Sequence, residues 1–143
     1  MCFSKCKDEY TICDFNTSVN EKSGFYHING GIEQVAYAPS FSLSALGVPL
    51  AIYSAVPNLS KFSLPLNPLL DSAKFQLSIN NNVTIDTITF FYNSHSMLLS
   101  PECGSIYVHN LTRIKTTKHK LDSVSISNGV INNISGENVK IYF

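Results

Sequence analysis

Apolar and polar positions alternate with period two at the C-terminus. Val139, Ile141 and Phe143 fall on one side of an extended chain, and Asn138, Lys140 and Tyr142 fall on the other. One apolar face with this period predicts a half-buried strand. Upstream, Val124 and Ile126 alternate with Ser123, Ser125 and Ser127, and Asn128-Gly129 precedes a second apolar run at Val130 and Ile131. Asn-Gly between two such runs predicts a hairpin, because a type I′ turn needs positive φ at both central residues. The loop Ser135-Gly136-Glu137 then leads into the last strand.

The same grammar runs through the rest of the chain. Gly24 to Ile28 reads as extended, and Asn29-Gly30-Gly31 reverses it toward Ile32 to Ala38, glycine supplying the left-handed angles such a reversal needs. Phe41-Ser42-Leu43-Ser44 alternates again. Pro49, Pro57, Pro65 and Pro68 then fall within Leu46 to Leu70, which restricts this stretch to edge strand, crossover or loop, since proline cannot donate to a central ladder. Phe75, Leu77 and Ile79 form one face against Lys74, Gln76 and Ser78, and Asn80-Asn81-Asn82 breaks the strand. Val83 to Tyr92 is a β-branched and aromatic run suited to a central strand. A loop is expected through Asn93-Ser94-His95, with a further strand from Ile106 toward Ile114. The reading is an all-β chain: an antiparallel β-sandwich, immunoglobulin-like or similar, of seven to nine strands. Any helix, within Ser40–Leu46 or around Leu69–Ala73, would be short. Residues 1–22 are polar and mixed and read as an N-terminal tether with clustered cysteines; residues 23–143 read as a single domain.

At 143 residues the chain can bury a real core. Only 14% of residues are charged, well below the usual quarter, so Ser, Thr and Asn must supply the polar strand faces. That suits a secreted or envelope protein better than a cytosolic helical one. The formal net charge is zero, so nothing overall steers the surface toward nucleic acid or anionic lipid. Basic residues cluster only at Arg113, Lys115, Lys118, His119 and Lys120, either a small anion-binding patch or a solvated loop between strands. No window approaches the run of about twenty apolar residues that spans a bilayer. Asn-x-Ser/Thr occurs at Asn16, Asn58, Asn82, Asn110 and Asn133, which would matter for glycosylation in a eukaryotic secreted protein but arises readily in a chain this rich in these residues.

Cys2, Cys6 and Cys13 crowd the start, and Cys103 stands alone in Pro101-Glu102-Cys103-Gly104. Four cysteines permit three full pairings, and spacing does not choose among them. One bridge from the N-terminal segment to Cys103, through Cys13 or Cys6, is expected, with Cys13 and Cys103 as the candidate pair. His27, His95, His109 and His119 show no ligand spacing beside these thiols, so no metal or other cofactor is expected. The acids Asp71, Asp86, Glu102 and Asp122 are scattered, and no serine sits in a Gly-x-Ser-x-Gly elbow. Asp86 interrupts an uncharged strand and reads as a solvent-side residue; His109 reads as a surface or satisfied polar residue. A small hydrolase would require Asp86, Asp122 and a histidine to converge in a cleft. Tyr26, Tyr37, Tyr53, Tyr92, Tyr107 and Tyr142 are candidates for stacking on sugars or packing on a partner, set against core or cross-strand packing.

Leu64-Pro65-Leu66-Asn67, Asp86-Thr87-Ile88-Thr89-Phe90 with Tyr92, Glu102-Cys103-Gly104, Asp122-Ser123-Val124 and the closing Asn138 to Phe143 resemble the small, functionally uncharacterised lipoproteins of Bacteroidetes. The resemblance covers the chain from about Leu64 onward, and the front through its clustered cysteines. It implies a β-sandwich in the cell envelope, with a lipid-bearing cysteine opening the mature protein and no known activity. Cys6-Lys7-Asp8-Glu9 followed by Cys13 is similar to that arrangement. The residues before Cys6 form no small-residue lipobox, and Cys2 fits equally, so Cys6 and Cys2 are both candidate lipid sites. The expected function is that of a non-catalytic envelope lipoprotein with a structural or interaction role, its partner an envelope protein or a glycan. It would involve no nucleic acid, and a membrane only through that lipid. The alternatives are a carbohydrate-binding or adhesin-like module and a small hydrolase.

Overall fold

The computed structural model describes residues 13–143. Within them eleven strands form two sheets packed face to face, and no helix occurs. The smaller sheet is built on β1 (Glu21–Asn29), with β11 (Val139–Tyr142) beside it and β9 (Ser123–Ile126) beyond. Along the other edge of β1 lie β5 (Lys61–Leu64), paired with its first half, and β2 (Ile32–Val35), paired with its second. The larger sheet runs β10 (Val130–Ile131), β8 (Gly104–Thr116), β7 (Asp86–Ser100), β6 (Ser72–Ser78), β3 (Ala38–Ala45) and β4 (Ala51–Leu59). Pairing is antiparallel except between β1 and β11, the first and last strands, which run parallel.

The inward positions of both sheets interdigitate in one core. Phe25, Phe41 and Phe62 meet there with ring centroids 4.8–5.5 Å apart, and Phe90 meets Phe75 at 5.9 Å. Such offset and edge-on pairs add to the burial of the rings themselves. Val139 and Ile141 are fully buried, as the period-two reading requires, and Leu64, Leu77, Ile88 and Ile131 join them. The prolines fall where a ladder tolerates them: Pro57 on the edge strand β4, and Pro49, Pro65 and Pro68 between strands.

Three expectations are corrected by the pairing. The count is eleven rather than seven to nine, because the proline-containing stretch supplies two edge strands of its own, β4 and β5. The Asn128-Gly129 turn does not close a hairpin. β9 pairs with β11 in one sheet and β10 with β8 in the other, and neither residue takes positive φ. Asn138 fixes this crossing: fully buried, its side-chain amide donates to Asn128 O (2.9 Å) and Val130 O (2.8 Å), while its Oδ1 accepts from Lys22 N (3.0 Å). Gly129 is needed for closeness rather than dihedral freedom, since a Cβ there would stand 3.0 Å from Leu111 O. Finally, Asn93-Ser94-His95 is not a loop. β7 begins at Asp86 and continues through these residues to Ser100, and the turn falls at Pro101 to Cys103, making a long β7–β8 arm.

At the chain's start, residues 13–20 lack regular structure and β1 takes in Glu21 and Lys22. Cys13 is bonded to Cys103 at the arm's turn, with Cα atoms 4.9 Å apart, and Asn16 Nδ2 donates to Asn133 O at 3.2 Å. These two contacts hold residues 13–20 to the arm and its base. Cys2 and Cys6 lie outside the described residues.

Candidate functional site

Chemistry-bearing side chains gather at two places on the sandwich and fail to gather at a third. On the outer face of the smaller sheet, the parallel register sets Gly24 beside Lys140 and Tyr26 beside Tyr142. The two phenol rings lie 6.2 Å apart at 44°, and Lys140 Nζ stands 4.8 Å above the Tyr26 ring. Glu33 of β2 accepts from Lys140 Nζ (2.6 Å) and from the Tyr142 hydroxyl (2.7 Å). The Tyr26 hydroxyl lies 2.7 and 2.9 Å from the Glu137 carboxylate oxygens. Glu137 lies across Gly24, where any Cβ would collide with its carboxylate. Desolvation and the Glu137 carboxylate together push the Tyr26 phenol up to about 12. The bond from Lys140, then that from Tyr142, holds Glu33 below its ordinary value. Near neutrality this face therefore presents neutral phenols beside a paired carboxylate and ammonium.

An open cleft of 540 Å³ adjoins it, lined by Lys22, Lys61, Ser63, Tyr53, Gly136 and Glu137 among others. Glu137 thus borders both the cleft and the tyrosine pair. The Tyr53 hydroxyl accepts from Ser63 N (3.0 Å) and donates to Ser63 O (3.1 Å), clamping β4 to β5 at the cleft wall. One polar group sits inward nearby. Glu21 is fully buried; its Oε2 accepts from Ser23 Oγ at 2.6 Å, and its Oε1 has no partner. Burial dominates, raising its pKa to about 8 despite the serine bond.

Asp86 is corrected from the solvent side to the interior: it is 1% exposed. Asp86 stands two and four residues before Ile88 and Phe90, so the period-two alternation of β7 puts it on their inward side. Its carboxylate accepts from Thr117 Oγ1 (2.6 Å) and from the backbone N–H groups of His119 (2.7 Å), Lys120 (2.9 Å) and Leu121 (3.1 Å). Burial alone would raise its pKa, but these four donors outweigh it and the value is lowered. The basic run is divided accordingly, with Arg113 and Lys115 in β8 and His119 and Lys120 wrapped around Asp86. Asp122 is engaged through its backbone, donating to Tyr142 O at 2.7 Å, and no hydrogen bond links it to Asp86. His109 is buried, its Nδ1 2.6 Å from Ser94 Oγ across the arm and its ring edge-on to Tyr92. Desolvation, then His95, lowers its pKa, so it is neutral near pH 7. The pair lacks an orienting carboxylate, and the hydrolase constellation of Asp86, Asp122 and a histidine is not assembled.

Of the other tyrosines, Tyr92 donates to Asn67 O at 2.8 Å as an internal clamp, while Tyr37 and Tyr107 are exposed and outside the Tyr26–Tyr142 pair. Among the described residues no group of three or more His, Cys, Asp or Glu is placed to hold a metal ion, and no helix is long and apolar enough to cross a membrane. Sequence reasoning missed Glu21, Glu33 and Glu137. The period-two phase of β1, with Glu21, Ser23 and Phe25 on one side, was the available signal for the first; the other two enter the site through pairings between distant strands.

No curated protein and no solved structure matches the chain. Residues 41–143, which span β4 to β11 and most of β3, match the Family of unknown function (DUF6452), and the chain belongs to that family.

Proposed function

We propose that the protein is a non-catalytic interaction module of the cell envelope, working through its outer strand faces and held there by its N-terminal segment. The observation that carries this reading is the Cys13–Cys103 bridge. Structural disulfides persist in oxidising compartments outside the cytosol, and this one joins the N-terminal segment to the end of the β7–β8 arm. The low charge and the Ser-, Thr- and Asn-rich strand faces agree with it. Intact-mass analysis of protein isolated from its own cells, with and without reductant, tests it. The expected result is a bridged chain carrying a lipid-sized mass on Cys2 or Cys6; a fully reduced, unmodified chain would remove the basis for an envelope location.

A carbohydrate ligand is the second reading, favoured by the Tyr26–Tyr142 pair beside the cleft. Ring faces accept the C–H faces of sugars, and Glu33, Glu137 and Lys140 supply hydrogen bonds without a strong net charge. Titration with neutral oligosaccharides should move the amide resonances of β1 and β11, and Tyr26→Ala should abolish the shifts. Silence across a glycan array would count against this ligand class while leaving the envelope location intact.

A further inference from the structure

The net charge is zero, yet the pairing of β6, β7 and β8 brings three cations onto one sheet face. Lys74, Thr89 and Lys115 stand directly opposite one another across the three strands, and Ser72, Phe91 and Arg113 form the next row. Ile88 and Phe90 point into the core, so the intervening Thr89 and Phe91 rows face outward. Two strand spacings put the lysine backbones about 10 Å apart, and Arg113 lies about 7 Å along the strand from Lys115. Thr89 is 7% exposed although it faces outward, as expected if the aliphatic stems of both lysines lie over it. The Arg113 guanidinium sits 4.2 Å from the Phe91 ring. No position in either row is acidic, and none of the three cations has a salt-bridge partner among the described residues; Lys140–Glu33 is the pair found there.

Exposed aliphatic side chains edge this grid at one end. Leu46 and Leu50, between β3 and β4, are 46% and 78% exposed; Leu69 and Leu70, just before β6, are 84% and 53% exposed. Leu46 N donates to Lys74 O at 3.0 Å, and Leu70 precedes by two residues the Ser72 row that ends on Arg113. A cationic face edged by exposed leucines suits one kind of partner, a surface with anionic groups outermost and hydrocarbon just beneath.

We propose that the outer face of the larger sheet docks on an anionic lipid surface, with Lys74, Arg113 and Lys115 on the headgroup phosphates and the leucines of the two turns entering the acyl boundary. This stands apart from any lipid on Cys2 or Cys6. The test therefore uses the full 143-residue chain with its mass confirmed as unacylated. Co-sedimentation is measured with vesicles of phosphatidylcholine alone and of phosphatidylcholine containing phosphatidylglycerol. Binding is expected to the anionic vesicles only and to weaken as salt is raised. Each of Lys74→Gln, Arg113→Gln and Lys115→Gln should lower the partition coefficient about fivefold, and the triple variant about a hundredfold. Leu50→Ser with Leu69→Ser should lower it further at unchanged circular dichroism, whereas Lys22→Gln with Lys61→Gln, on the other sheet, should do much less. Absence of binding, equal binding to both vesicles, insensitivity to the triple substitution, or capture of a soluble acidic polysaccharide in place of the vesicles would each overturn the proposal.

Discussion

Glu21 and Asp86 are both carboxyl groups turned into the interior, and their pKa values move in opposite directions because their donors differ. Glu21 receives one hydroxyl, from Ser23, and its other oxygen is unpartnered. Its folded pKa, about 8 against 4.5 for the free group, means the folded chain keeps a proton that the unfolded chain releases. Stability should therefore fall as pH rises between those values and level off above them. Glu21→Gln should remove this slope and be the more stable protein at about pH 9, as read from urea midpoints. Asp86 receives four donors and its pKa is lowered, so its contribution is present above the unfolded value and is lost as pH falls through the folded one. Asp86→Asn should cost about 2–3 kcal/mol at neutral pH, and the difference from the parent should vanish in acid. The Glu21 bond lies within a sequence window, since Ser23 is two residues away; the Asp86 donors lie 31 to 35 residues along the chain and are not visible in one.

The β7–β8 arm is a long antiparallel pair whose far part continues beyond the strands flanking it, since β6 pairs with β7 only as far as Phe91 and β10 meets β8 at His109 and Asn110. Beyond that base the arm is pinned by the Cys13–Cys103 bridge, which spans 90 residues of chain. Closing a loop of that length removes much unfolded-state entropy, so Cys103→Ser should cost about 4 kcal/mol. Hydrogen exchange should then accelerate at Met97 to Val108 while the amides of β1 and β11 stay comparatively protected. The turn chemistry was read correctly at Gly30-Gly31, where both residues take positive φ (62° and 83°). It was misread at Asn128-Gly129, where Asn138 from a later strand captures the turn. It was misread again at Asn93-Ser94-His95, whose polar residues belong to a strand that leaves the core.

Among the described residues the first and last strands pair in parallel, so β11 sits between β1 and β9 in the smaller sheet. Ile141, fully buried there, should cost about 3–4 kcal/mol when replaced by alanine in denaturant unfolding. Folding should also be slow, on the order of milliseconds to seconds, because the β1–β11 contact joins the two ends of the described chain. What could be read from the linear order of residues was the class of fold, the inward face of most strands and the edge placement of the proline stretch. These depend on period, dihedral preference and side-chain type, which are local properties. Partnership was not legible there: which strands pair, that Glu33 would meet Lys140 and Tyr142, that Lys74 would stand in line with Lys115, or that Asp86 would hold the Thr117 to Leu121 loop. Such contacts arise only when segments far apart along the chain are brought to strand spacing by burial of the core, and the candidate surfaces are assembled from these contacts.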